Sequence, residues 1–342
     1  MKRTRVTIKD IASDLNISAS TVSRALRDHP AIKQETKDAV KELAEKWNYR
    51  PNTTALNFLR QTSSTIAVIV PDITSYFFSA AVTGIQDILI STEYNTMIFV
   101  SNESFEEEVQ IIEKLSRIQI AGILVAPSSS TRNFDHFKKL EKNNIPLVIF
   151  DRDCEDLEAH KVLVDDYLGA FEAVDYLVKS GCKKIAHITG DSNFSTNNHR
   201  LQGYIDALKK NNIPVREDYI IQAKGFNHKD GTAPAKALLK SDDIPDAIFA
   251  VNDRLAVPVI KMAKKLKIRI PEDLSIVGFD DEPHSSYFSP ALSTVWQPVY
   301  SMGMLAARIL LHDIRLENRE ELKLRHEVFK TELVIRESSK LI

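Results

Sequence analysis

Cysteine is nearly absent. Cys154 and Cys182 are the only two in 342 residues and fall in separate predicted elements, so neither a disulfide framework nor a cysteine-rich zinc site is available. Both read as inert packing residues. Glycine is also scarce: ten residues, none arranged as GxGxxG, as GxxxxGK followed by Ser or Thr, or as GxSxG. That removes the backbone cradles of dinucleotide and P-loop enzymes and the strained elbow of serine hydrolases. HExxH is missing and the nine histidines are dispersed. Asp280-Asp281-Glu282 could in principle hold a divalent cation, but three consecutive carboxylates rarely converge on one ion without other ligands. No apolar run approaches the roughly 18 residues of a membrane span. The basic start Met-Lys-Arg-Thr-Arg is followed by no apolar secretion segment. These absences predict a cytoplasmic, non-enzymatic protein with no cofactor, no metal and no membrane partner.

What is present is a charge asymmetry. Residues 1–60 hold twelve Lys and Arg against seven Asp and Glu, while the remainder is acidic, although the whole chain has a net charge of only −2. A small basic piece on an acidic body is the electrostatic footprint of a nucleic-acid-binding domain, and equally of a solvated surface, so the motif inside it must decide. At this length, with 43% hydrophobic residues, two or three domains are expected.

The deciding stretch is residues 7–26. Ile8, Ile11, Ala12 and Leu15 fall at helical spacing, Asn16-Ile17-Ser18 interrupts, and Val22, Ala25 and Leu26 resume the period. Ser18 is placed to cap the second helix, whose first residues Ala19, Ser20 and Thr21 are small enough to approach another surface closely. In a helix-turn-helix that surface is the DNA major groove: Ala19, Ser20 and Arg24 would face base edges, and Thr21 and Ser23 phosphates. Thr7, Lys9 and Ser18 complete this candidate DNA-binding set. Residues 34–47 form a third amphipathic helix through Ala39, Val40, Leu43, Ala44 and Trp47. Pro51 then suits the start of a short helix over 51–60 that is too short to be stable alone.

The 7–26 stretch, with Tyr49-Arg50-Pro51-Asn52 after it, resembles the headpiece of the LacI/GalR family of bacterial transcription regulators. The resemblance covers nearly the whole chain. It implies a hinge helix that orders on DNA, with Asn52, Ala55 and either Phe58 or Leu59 at the minor groove. Family members carry a leucine where counting from Pro51 puts Phe58; phenylalanine is an acceptable wedge, and Leu59 serves if the helix is rotated.

Beyond the polar stretch 61–65 the chain alternates short apolar runs with helical segments: 66–70, 97–100, 122–126 and 147–150, then 184–188, 219–222, 247–251 and 275–279. Two doubly wound lobes with parallel sheets are predicted. The fold class expected is therefore α/β, an all-α helix-turn-helix headpiece (1–50), a hinge and linker (51–64) and a two-lobed periplasmic-binding-protein-like core (65–342). Crossings between the lobes are expected near 162–164, 293–297 and 322–326. One lobe then takes about 65–162 and 297–322, the other about 163–293 and 326–337.

Ligands of open parallel sheets sit beyond the carboxyl ends of strands. Asp151-Arg152, Asn252-Asp253 and Asp280-Asp281 follow such runs, although Asn252 and Asp281 suit helix capping equally well. The resemblance implies that Asp151, Arg200, Asn252 and Asp280 bond the effector, with Asp165 and Thr196 as secondary contacts and Arg152 beside them. It also implies that Phe77, Phe78 and Phe226 offer apolar or stacking surfaces; aromatics at such positions are as often core. Carboxylate, guanidinium and amide groups facing one another suit the vicinal hydroxyls of a sugar. The function expected is a homodimeric repressor of a pseudo-palindromic double-stranded operator, controlled by a small-molecule effector of the sugar or sugar-derivative class. The alternatives are a stand-alone sugar receptor, which has no use for residues 1–60, and a sugar-active enzyme, for which no nucleophile, paired acid and base or metal set stands out.

Overall fold

The computed structural model describes residues 6–49, 64–154, 156–190, 195–316 and 322–342. They fall into two units, 1–63 and 64–342. In the first, α1 (Ile8–Asp14), α2 (Ala19–Leu26) and α3 (Gln34–Lys46) enclose Ile11, Val22, Ala25 and Val40, all fully buried, with Trp47 and Tyr49 packed against them. The cap expected at Ser18 is present: its hydroxyl accepts from the Thr21 amide at 3.0 Å. The hinge positions Asn52, Ala55, Phe58 and Leu59 lie outside the described residues.

The second unit contains two sheets. In the first lobe β1 (Thr65–Val70), β2 (Asn95–Val100), β3 (Gly122–Val125), β4 (Leu147–Phe150), β5 (His160–Val164) and β11 (His326–Phe329) lie in the order β11-β5-β4-β3-β1-β2, all parallel. In the second, β6 (Ile185–Thr189), β7 (Ile220–Gln222), β8 (Ala247–Ala250), β9 (Ser275–Asp280), β10 (Ser293–Trp296) and β12 (Glu332–Val334) lie in the order β12-β10-β9-β8-β6-β7, with only β12 antiparallel. Fully buried runs such as Ala-Val-Ile-Val in β1 and Ala-Ile-Phe-Ala in β8 are what a parallel sheet covered on both faces requires.

Two of the expected crossings move. β5 carries the first lobe's sheet through Val164, and the chain crosses at Asp165 into α7 (Asp166–Lys179), whose Ala170, Ala173 and Val174 pack in the second lobe. β11 pairs in register with β5, so the last crossing is at Lys330-Thr331 and not at 322–326. The reason is chemical: β5 opens with His160 and Lys161, and β11 reads His-Glu-Val-Phe on an exposed edge, so neither shows the apolar run that marks an inner strand. Between β10 and α11 (Val299–Arg315) the crossing is Gln297-Pro298.

The start of α4 (Tyr76–Leu89) is set by its fit to α11. A Cβ on Gly84 would lie 2.1 Å from the Tyr300 carbonyl oxygen, and one on Gly303 2.1 Å from that of Ala81, so the two backbones meet through reciprocal glycines. That contact fixes where Phe77 and Phe78 emerge. Cys154 and Cys182 are buried free thiols. No helix among the described residues is long and apolar enough to cross a membrane.

Candidate functional site

The strand ends of the two lobes face each other across a cleft. On one side Asp72 and Ser75 follow β1, Glu103 follows β2, and Asp151 and Arg152 follow β4; Phe77 and Phe78 come from the first turn of α4. On the other, Thr196, Asn197 and Arg200 lie on α8 (Ser195–Lys210), Asn252 follows β8, Asp280 ends β9, and Phe226 follows β7. They line a small cavity of about 70 Å³, which shares Asp72, Glu103, Phe226 and Arg254 with an adjoining chamber of about 610 Å³.

Nine of the ten residues expected to meet an effector line this one cavity: Phe77, Phe78, Asp151, Arg152, Thr196, Arg200, Phe226, Asn252 and Asp280. Asp165 is the exception. Its carboxylate caps α7, accepting from the Leu168 amide at 2.8 Å, and it lines a neighbouring pocket instead. Asn252 keeps the capping role as well: its Oδ1 accepts from the Leu255 amide at 2.9 Å, while its Nδ2 donates to the Phe226 carbonyl at 3.2 Å. The strand-end rule would also have found Asp72 and Glu103, which follow the runs 66–70 and 97–100. The same rule reaches Arg254, three residues after the run 247–251; nothing in the sequence marks Asn197.

Arg152 is held from several sides. It makes a bidentate pair with Glu103 (2.7 and 2.8 Å) and donates to the Pro127 carbonyl, and its guanidinium sits 5.3 Å from the Phe78 ring centre and 6.0 Å from that of Phe226 on the opposite lobe. Arg200 is similarly committed. Its Nε and Nη2 both lie 2.7 Å from Asp166 Oδ1, it donates to the Val251 carbonyl, and it stacks 3.6 Å from the Phe279 ring centre, whereas Asp280 is 3.6 Å away. Asp166, buried at the first position of α7, is therefore the principal partner of Arg200, and sequence reading missed it.

Two features mark the cavity as built for polar contact. Asp151 and Asp280 sit at φ +69° and +104°, in the left-handed region that costs a non-glycine residue about 1–3 kcal/mol and persists where the surroundings impose it. The Thr196 hydroxyl is buried and has no partner among the described residues. Burial also pushes the Asp151 carboxyl up to about 7 against the pull of Arg152, and raises Asp280 well above the usual carboxylate range despite Arg200.

The Asp151 shift has a signed consequence. A folded pKa above the unfolded one means that the folded state binds the extra proton, so this contribution to stability is complete below about pH 4 and is lost as pH rises through about 7. We expect the unliganded core to lose about 2–3 kcal/mol through this group between about pH 5 and pH 8. Asp151→Asn should flatten that part of a thermal-midpoint profile; an unchanged slope would place the carboxyl in contact with water.

Arg254, in the first turn of α10 (Asp253–Leu266), spans the cleft. It donates to Asp72 Oδ2 and to the Thr74 carbonyl of the other lobe, both at 2.9 Å, and to Glu282 of its own lobe at 3.1 Å. Asp253 beside it is structural, accepting from the Glu282 amide and from the Ser285 and Thr294 hydroxyls. Arg254→Ala should weaken lobe closure by about 1 kcal/mol, the scale of a partly exposed pair. Small-angle scattering of the unliganded protein should then give a larger radius of gyration; an unchanged value, with no salt dependence in the wild type, would remove this role.

In the headpiece, Ser18, Ser20 and Arg24 are exposed, with Ser20 and Arg24 one turn apart on α2. Ala19, Thr21 and Ser23 are half-buried, and Ala19 packs on the headpiece core. Lys9 is exposed, while the Thr7 hydroxyl donates to Asp10 at 2.7 Å. Arg27, also exposed, follows Arg24 on the same face and was not among the expected contacts.

A DNA-reading helix pair joined to a two-lobed cleft defines a class of ligand-responsive regulator, and comparison with known proteins agrees. Residues 7–52 match the family of bacterial regulatory proteins, lacI family, and residues 174–339 a periplasmic binding protein-like domain. The "Probable HTH-type transcriptional repressor ExuR" of Bacillus subtilis (strain 168) is 34% identical over 97% of this chain and 98% of its own length. Catabolite control protein A of Priestia megaterium is 32% identical over 89% of this chain and 91% of its own. Among solved structures, a CelR-cellobiose complex shares 25% identity over 98% of this chain and all of its own, with a TM-score of 0.74. A lac repressor dimer bound to operator and an anti-inducer has the same fold, with a TM-score of 0.87 at 20% identity over 99% of this chain. The chain belongs to the LacI family. It is a DNA-binding transcription regulator with an effector-binding core, not an enzyme.

Proposed function

We propose that the protein is a cytoplasmic, homodimeric repressor whose effector is a sugar or sugar derivative bound between the two lobes. The observation that carries this reading is the composition of the cleft. Asp151 and Asp280 present carboxyl groups from opposite lobes, Thr196 adds a hydroxyl with no partner among the described residues, and Phe77, Phe78 and Phe226 supply apolar faces for a ring. The regulator from Enterococcus faecium solved with bound ribose, 28% identical over 81% of this chain with a TM-score of 0.71, and the cellobiose complex above support a carbohydrate.

Residues 1–50 read the operator through Ser20 and Arg24, with Lys9, Thr21 and Ser23 near phosphates, and the hinge 51–64 brings Asn52, Ala55 and Phe58 or Leu59 to the minor groove. One small headpiece buries little DNA, so two copies on a pseudo-palindrome supply the remaining affinity. Effector binding selects one lobe arrangement and so changes the spacing of the two hinges. A thermal-shift screen of sugars, nucleosides and sugar phosphates tests the ligand class. A true effector at a hundred times its dissociation constant adds about 2.7 kcal/mol of stability. Shifts from nucleosides alone, with none from any sugar, would overturn the carbohydrate reading.

A further inference from the structure

The two cavities of the cleft differ in what they can hold. The inner one, of about 70 Å³, has room for about two water molecules. Sites for small organic ligands run to roughly 300–1,000 Å³. The outer chamber, of about 610 Å³, falls within that range. A sugar that reaches Asp151, Asn252 and Asp280 therefore has the rest of its body in the outer chamber, and the side chains there choose among sugars.

Six ionisable side chains line that chamber: Asp72, Glu103 and Asp230 against Arg132, Lys224 and Arg254. Most are already engaged. Arg254 bonds Asp72 at 2.9 Å and Glu282 at 3.1 Å, and Glu103 is taken by its bidentate pair with Arg152. Asp230 turns back on its own loop, where its Oδ2 accepts from the Asn227 amide at 3.1 Å. Arg132 gives one nitrogen to the Ser129 and Thr131 carbonyls, at 2.7 and 3.2 Å. Lys224 stands apart. It follows β7, is exposed at the chamber wall, and makes no ion pair among the described residues. An exposed lysine on an open surface is ordinary. This one borders the cleft proposed for the effector, and its charge has no counterpart among the described residues.

We infer that the effector is a sugar acid, a monoanion whose hydroxyl groups enter the inner cavity while its carboxylate lies in the outer chamber against Lys224 Nζ, with Arg132 contributed by the other lobe. This rests on the carbohydrate reading and narrows it. A single negative charge suits the site better than a phosphate, because one lysine answers one charge and the three carboxylates of the chamber repel a dianion. Lysine is also a point charge on a flexible stem, able to follow a carboxylate as the ring turns. Because Lys224 belongs to the second lobe and Arg132 to the first, a carboxylate held by both favours the closed arrangement.

Calorimetric titration of the full-length protein tests it, with D-glucuronate, D-galacturonate and D-gluconate each set beside its neutral parent sugar or methyl ester. Glucose 6-phosphate is the dianionic control. At least one sugar acid should bind saturably, about tenfold tighter than its neutral counterpart, and more weakly as salt rises. Glucose 6-phosphate should bind no more tightly than that acid. Lys224→Met should remove the preference for acid over neutral counterpart, and Lys224→Arg should keep it. Because Lys224 is exposed, both variants should fold as the wild type does. Equal affinity for acid and neutral counterpart, binding of neutral sugars alone, a preference that survives in Lys224→Met, or tighter binding of the phosphate would overturn the inference and leave the carbohydrate reading standing. Absence of saturable binding by all three acids would also overturn it. A protein that binds no sugar of either kind and responds to nucleosides would overturn both.

Discussion

Arg200→Ala should destabilise the unliganded core by about 3–5 kcal/mol, because it leaves Asp166 buried without its cation. Arg200 is 5% exposed and its hydrogen bonds are taken by Asp166 and the Val251 carbonyl, so most of its guanidinium works within the lobe. Asp280 stands differently. Its hydrogen bond is to Gln297, with Arg200 at 3.6 Å, and it faces the cavity. Asp280→Asn should therefore keep unliganded stability within about 1 kcal/mol while removing the effector's thermal shift. Urea unfolding of both variants separates the roles; equal and small losses would show that Arg200 is free to serve the ligand alone.

The second large effect belongs to the headpiece. Arg24→Ala should weaken operator binding by about 1–3 kcal/mol and relax preference at one base position. Lys9→Ala should instead weaken operator and unrelated DNA alike and lower the salt dependence, as a phosphate contact does. Fluorescence anisotropy at one fixed salt concentration, on an operator obtained by binding-site selection, checks both. Equal losses on operator and unrelated DNA for Arg24→Ala would remove its base-reading role.

Much of this was legible in the sequence, for identifiable reasons. The Ser18 cap and the buried Ile11, Val22 and Ala25 follow from helical periodicity, and inner strands such as Ile66–Val70 and Ala247–Val251 announce themselves as continuous apolar runs. Asp151, Arg152, Asn252 and Asp280 follow from the rule that polar residues beyond strand ends face a ligand. What the chain hides is pairing over distance. β11 is polar because it lies on an edge, so its place beside β5 cannot be read from composition. Asp166 looks like an ordinary first-turn helix acid until Arg200 is seen 34 residues away in sequence and 2.7 Å away in space. Asp165 carries the converse lesson, for a residue next to the cleft can be spent on its helix cap.

The central claim is that occupancy of the cleft between the lobes sets operator affinity. Its most direct test is the operator dissociation constant of wild type and Asp280→Asn, each measured with and without a saturating effector taken from the thermal-shift screen. The account predicts a change of about fivefold or more in the wild type, the scale of an allosteric coupling, and none in Asp280→Asn. An unchanged constant in wild-type protein with effector bound, or the same change in both proteins, would contradict it.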